Sequence, residues 1–155
     1  IFSSDEATSV DVVLHALEVY SDYKWFVMLQ PTSPLRNTLH ITESLDLLRN
    51  AKSKTVVSVC KSTSKPNHMF EITDKTKQLQ PILGWEALSL PRQRLKIFYE
   101  LNGAIYAGET EFFKENKRFV DSNTSAYVMD KAVSLDIDET EDLQTAKLYM
   151  EARGF

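Results

Sequence analysis

The chain alternates between helix-period and strand-like segments, and that alternation leaves few folds open to it. Val10, Val13, Leu14 and Leu17 recur at the spacing of one apolar helix face, with Ser9 placed to cap its start and Tyr20 near its end. Residues 25–29, Trp-Phe-Val-Met-Leu, form an almost wholly apolar run that suits a strand buried on both faces of a parallel sheet. A second helix is predicted over 38–50 with Ile41, Leu45 and Leu48 on one face, followed by the β-branched run Thr55-Val56-Val57-Ser58-Val59. Helix, strand, helix, strand is the signature of βαβ units, so the sequence predicts an α/β fold, a three-layer sheet with right-handed crossovers.

Between the first strand and the second helix, Gln30-Pro31-Thr32-Ser33-Pro34-Leu35-Arg36 must be a loop, because two prolines remove backbone donors and restrict the residues before them. Residues 61–100 break the pattern, being rich in Lys, Ser, Thr, Gln and Pro with scattered apolar positions. The alternation in His68-Met69-Phe70-Glu71-Ile72 suggests paired strands there, hence an arm able to pack on another subunit of one single-domain chain, 1–155. The sheet is predicted to resume at 104–107, with a short helix over 110–115 carrying Phe112 and Phe113 and strands over 126–129 and 132–135. A final helix over 139–152 is expected to turn Leu143, Ala146 and Met150 inward.

Composition narrows the function classes. With 43% hydrophobic and 26% charged residues, 155 residues suffice for a packed core. The net charge of -4 provides no cationic stripe able to neutralise a phosphate backbone, which argues against a nucleic-acid partner. No apolar stretch approaches the roughly twenty residues of a spanning helix, so no membrane partner is expected and a cytoplasmic protein is. The single Cys60 ends an apolar run and reads as a buried structural thiol. The chain opens at Ile1 without an initiator Met, on residues like those of an internal loop, and is expected to be part of a longer polypeptide.

The sharpest polar feature is Asp136-Ile137-Asp138, expected at the carboxyl end of a strand. There both carboxylates share a face and converge on one cation, and oxygen-only ligation suits Mg2+. Asp138 with Glu141 equally fits an N-capping pair, and spacing alone leaves both readings open. The loop 30–36 offers an amide, hydroxyls and a guanidinium at the same sheet edge, or serves as a rigid connector. In Asn102-Gly103-Ala104-Ile105-Tyr106 the glycine marks a close backbone approach, and the polar groups are either core or ligand contacts. His15, His40 and His68 are scattered without ligand spacing, so zinc chemistry has no support.

Taken in order, Leu29-Gln30-Pro31-Thr32-Ser33-Pro34-Leu35-Arg36, Pro91-Arg92-Gln93, Asn102-Gly103-Ala104-Ile105-Tyr106 and Asp136-Ile137-Asp138 with Glu141-Asp142-Leu143 resemble the acylneuraminate cytidylyltransferase family over nearly the whole chain. The resemblance implies a nucleotide-diphospho-sugar-transferase-like (Rossmann-like) fold with an extended dimerisation arm, a homodimer, and transfer of CMP from CTP to a sialic-type nine-carbon 2-keto acid. By motif position it implies Asp136 and Asp138 as the catalytic pair holding Mg2+, Gln30, Arg92, Asn102, Tyr106 and Phe119 as substrate-binding residues, and Ser9 near the nucleotide. The family's glycine- and Lys/Arg-rich triphosphate loop is expected upstream of Ile1, and His68 stands where some members carry a Lys after the arm proline. A related sugar nucleotidyltransferase using another acid or nucleotide, or an inactive interaction module, are the competing expectations.

Overall fold

A computed structural model describes residues 8–152, apart from the side chain of Arg92. Two compact units emerge among these residues, one that ends its first stretch at Cys60 and resumes at Leu101, and one from Lys61–Glu100. In the first, α1 (Ser9–Val19) leads to β1 (Trp25–Met28), α2 (Thr38–Asn50) and β2 (Thr55–Lys61). After the second unit come β5 (Tyr99–Glu109), α3 (Thr110–Asn116), β6 (Thr124–Met129) and α4 (Thr140–Ala152). The second unit carries β3 (Phe70–Ile72) and β4 (Leu79–Pro81), an antiparallel pair, with three short 3-10 turns.

The four-stranded sheet runs β1-β5-β2-β6. β1 is antiparallel to β5, with Trp25 opposite Glu109, and β2 is parallel to β6. Bonds join position 58 to 105 and 54 to 109, so β5 also opposes β2. The sheet is therefore mixed, with β5 the one reversed strand among parallel β1, β2 and β6. The crossover β1-α2-β2 passes over β5, as a parallel pair requires.

Two layers of helix cover the sheet. Val13 and Leu17 of α1 pack with Phe113 of α3 against Phe26 and Met28 on one face. On the other, Leu48 of α2 meets Val56 and Ala107, while Leu35, Ile105, Met129 and Val133 form a cluster that Ile41 and Met150 close. Alternation along β1 sends Phe26 and Met28 one way and Val27 the other. Cys60 is buried and unbridged, a core residue.

Four expectations change. The run at 25–29 is an edge strand among the described residues, paired only with β5, so none of its side chains is fully buried and Trp25 is 38% exposed. Residues 132–135 are not a strand. The Asp130 carboxylate accepts from Ala132 N at 2.8 Å and Ser134 Oγ donates to Asp130 O at 2.8 Å, which winds Lys131–Val133 into a 3-10 turn. Their apolar character reflects burial of Val133 without a ladder. Thr8, not Ser9, caps α1 through a reciprocal box with Asp11. Leu143 faces outward, whereas Ala146 is buried.

Phe113 is fully buried, with Phe26 at 4.8 Å edge-on and Phe119 at 4.8 Å. Phe113→Ala should cost about 3–5 kcal/mol in urea unfolding. A loss under about 1 kcal/mol would show that α3 does not anchor this layer.

Candidate active site

The loop 30–36 leaves β1 and is pinned from three sides. Arg36 Nη1 donates to Gln30 O at 3.0 Å and to Ala104 O at 2.7 Å. Ser33, fully buried, donates to Asn102 O at 3.4 Å, and Ile137 N donates to Thr32 O at 2.9 Å. Arg36 is thus turned onto backbone, and burial lowers its pKa from the ordinary value. These bonds hold 30–36, the middle of β5 and the 130–138 segment together.

Gly103 is the close approach. Its φ of +72° lies in the left-handed region, and a Cβ there would sit 2.5 Å from Gln30 Oε1 and 2.9 Å from Asp136 Oδ2. Gln30 and Asp136 therefore meet across a position that only glycine leaves open. Beneath them Asn102 is buried, and its amide is spent inside the protein. Oδ1 accepts from Ser58 Oγ at 2.6 Å, and Nδ2 donates to Ser134 Oγ at 2.8 Å. Asn102 lies under the site rather than in its wall.

The two aspartates do not share a strand face, because their segment is irregular. Asp136 is half-buried and its Oδ1 is buried with no hydrogen-bond partner. Asp138 is exposed, and its N–H donates to Asp142 Oδ2 at 3.1 Å, as does that of Glu139 at 2.9 Å. Asp142, not Glu141, thus supplies the carboxylate at the start of α4. Among the described residues no group of three or more His, Cys, Asp or Glu side chains is placed to hold a metal.

A cavity of about 400 Å3 opens beside this point, lined by Thr8, Ser9, Gln30, Tyr106, Lys117, Arg118 and Phe119 among others. Residues far apart in sequence thus share one wall. The Tyr106 and Phe119 rings lie 4.9 Å apart. Burial, and then the charge of Asp136, push the Tyr106 phenol above its ordinary pKa, so it is a protonated donor at neutral pH. Arg92 falls in a 3-10 turn of the second unit, and its side chain lies outside the described residues.

Lys117 and Arg118 had no motif to announce them. Lys117 ends α3 in the left-handed conformation, φ 51°, with its N–H bonded to Phe113 O, and this abrupt stop presents Lys117, Arg118 and Phe119 to the cavity. The readable signal was a basic pair ahead of an aromatic just past a short helix.

A mixed sheet between helical layers, with a cavity and a half-buried acid at loops near one sheet edge, defines an α/β domain of a kind that binds ligands at such an edge. The fold is shared with 4-diphosphocytidyl-2C-methyl-D-erythritol synthase from Anaerococcus prevotii, TM-score 0.64 and 13% identity over 94% of this chain and 68% of that one. It is also shared with a CMP:2-keto-3-deoxy-manno-octonic acid synthetase solved with CTP, TM-score 0.66 and 10% identity over 96% of this chain and 70% of that one. No family model matches the chain.

The particular relationship is set by sequence. N-acylneuraminate cytidylyltransferase of Escherichia coli O18:K1:H7 is 35% identical over 145 residues, 93% of this chain and 34% of the relative. That of Streptococcus agalactiae serotype III is 35% identical over 140 residues, 90% of this chain and 33% of the relative. The chain is similar over most of its length to a segment of these N-acylneuraminate cytidylyltransferases, and spans about a third of the length of the curated relatives it matches.

Gly84 supplies an internal control for Gly103: its φ is +80°, yet nothing lies within 4 Å of its Cβ position. Gly84→Ala should cost only the backbone strain, about 1 kcal/mol, whereas Gly103→Ala should cost at least about 1 kcal/mol more by displacing Gln30 and Asp136. Equal losses in denaturant titrations would refute the close approach.

Proposed function

We propose that the parent polypeptide transfers CMP from CTP to the anomeric hydroxyl of a sialic-type nine-carbon 2-keto acid, and that this chain carries the acid-sugar half of the site. The observation behind this reading is the cavity itself, which joins Ser9, Gln30, Tyr106 and Phe119 next to the unpartnered carboxylate oxygen of Asp136. Its lining pairs an aromatic wall with an amide, a phenol and two cations, a set suited to a polyhydroxylated acid.

In the reaction the sugar hydroxyl oxygen bonds to the α-phosphorus, the bond from that phosphorus to the bridging oxygen breaks, and pyrophosphate departs while the hydroxyl loses its proton. Little covalent work falls to the protein, so positioning and electrostatics carry the rate. Gln30 and the Tyr106 phenol orient sugar hydroxyls, and Phe119 stacks against the apolar ring face. Lys117 or Arg118 receives the acid's carboxylate. Ser9, at the start of α1, faces the nucleotide. Asn102 acts through Gly103, whose place it fixes from below.

The residues at the loop fit a hard cation. Asp136 offers a buried oxygen lacking any protein partner, and Mg2+ takes one or two carboxylates while water and phosphate complete its shell. Asp136 and Asp138 would hold it, and when bound it neutralises charge on the phosphate oxygens. An active homodimer is part of the proposal. The second unit exposes Ile72, Trp85 and Ile97 at about 60%, more apolar surface than a solvated arm needs. No helix among the described residues is long and apolar enough to cross a membrane, and the cytoplasm, where CTP is abundant, is the proposed compartment.

In the full-length polypeptide, Asp136→Asn with Asp138→Asn should lower pyrophosphate release from CTP and sialic acid at least about 100-fold. Tyr106→Phe should raise KM for the acid about 10-fold with a smaller change in kcat. Full activity in the double variant would remove the metal assignment. A preference for an eight-carbon acid across a panel would replace the substrate.

A further inference from the structure

The other end of the same sheet holds a second cavity, which the reading above does not use. It has a volume of about 220 Å3 and lies where β1 and β2 begin and β5 ends. Lys24, Trp25, Arg49, Lys52, Ser53 and Lys54 line it. In a chain with net charge -4, four cations share one small concavity whose sole acidic lining residue is Glu109. Lys54 already pairs with Glu109, and Arg49 shares Asp46 at 3.6 Å. Among the described residues neither Lys24 nor Lys52 has an acidic partner.

Two further observations point to a ligand. The Ser53 hydroxyl oxygen is buried and has no hydrogen-bond partner, although buried hydroxyls are nearly always paired. Lys24 Nζ lies 4.8 Å from the Trp25 ring centre and Arg49 Cζ lies 5.5 Å from it, so an aromatic plate holds two cations in place. Such preorganisation reduces the cost of ordering long side chains around an anion. The carboxyl end of α2 reaches this corner and opposes an anion with about half a charge. The unpaired Lys24 and Lys52 outweigh it.

We infer that this cavity is a binding site for a small phosphate-class oxyanion, held by Lys24, Arg49 and Lys52 with Ser53 donating its hydroxyl. The volume matches phosphate or diphosphate and falls below the roughly 300–1,000 Å3 of cavities that enclose larger ligands. The inference stands independently of the proposed transferase reaction, because no residue of the first cavity takes part.

Trp25 reports directly on the site, and Trp85, the other tryptophan, can be removed as Trp85→Phe. In that variant, inorganic phosphate and pyrophosphate titrated at constant ionic strength should change Trp25 emission saturably, where sodium chloride does not. Lys24→Gln with Lys52→Gln should weaken binding at least about 10-fold, and Ser53→Ala about 3- to 10-fold, with unchanged circular dichroism. Phosphorus NMR line broadening of phosphate on the unsubstituted chain, lost in Lys24→Gln/Lys52→Gln, gives the same answer if Trp85→Phe folds poorly. A change that is linear, equal with chloride or indifferent to the lysine substitutions overturns the site. CTP binding there more tightly than pyrophosphate, through the same lysines, overturns the small-anion assignment.

Discussion

The buried amide of Asn102 is the interaction on which the candidate active site depends. Gly103 takes a left-handed turn in the middle of a long strand, which interrupts the ladder and strands backbone groups in the core. Each is recovered by a side chain. Ile105 N donates to Ser58 Oγ at 2.7 Å, Ala104 O accepts from Arg36 at 2.7 Å, and Ala104 N reaches Asn102 Oδ1 at 3.3 Å. Asn102 then ties Ser58 of β2 to Ser134 of the 130–138 segment. A fully satisfied polar network in low dielectric permits little slippage, so the kink that opens space for Gln30 and Asp136 is fixed in place. Loss of one member would leave the others unpaired, a larger cost than the bond itself.

Much of the architecture was legible because its signals were local. The 3.6-residue period of Val10, Val13, Leu14 and Leu17 and the β-branched run at 55–59 each found the expected element. The errors have a common cause. The apolar run 25–29 suggests a strand buried on both faces and 132–135 suggests a strand, yet burial and ladder pairing are separate conditions. Val133 satisfies the first without the second, and β1 has a strand partner on one side only among the described residues. The sense of β5 was unreadable, since an antiparallel and a parallel strand of one composition look alike.

The site was readable where a motif marked it and dark where geometry alone made it. Gln30, Tyr106 and Phe119 carry motif positions, and the structure lines one cavity with all of them. Lys117 and Arg118 enter the same wall only because α3 stops in a left-handed residue, an event without a glycine to betray it. The cationic cavity is darker still. Lys24 belongs to one segment and Arg49, Lys52 and Lys54 to another, and only the sheet edge between Trp25 and Glu109 brings them together. A net charge of -4 averages over exactly this kind of local excess, so whole-chain charge argues against a nucleic-acid surface but is silent on a single anion.

The aromatic wall couples the cavity to the core. Phe119 lies 4.9 Å from Tyr106, 4.8 Å from Phe113 and 6.4 Å from Phe26, so one ring links the cavity-lining phenol to the buried layer under α1 and α3. Packed interiors do not deform continuously, and a shift of Phe119 into the cavity must be absorbed by Phe113, which is fully buried. The wall is therefore rigid by construction and favours one ligand shape over an adaptable range. The polar half is set by a different device, the Asn102 network and the Gly103 kink. Substitutions in the aromatic layer should thus alter which ligand shape fits the cavity, while those in the network should alter whether the polar groups converge at all.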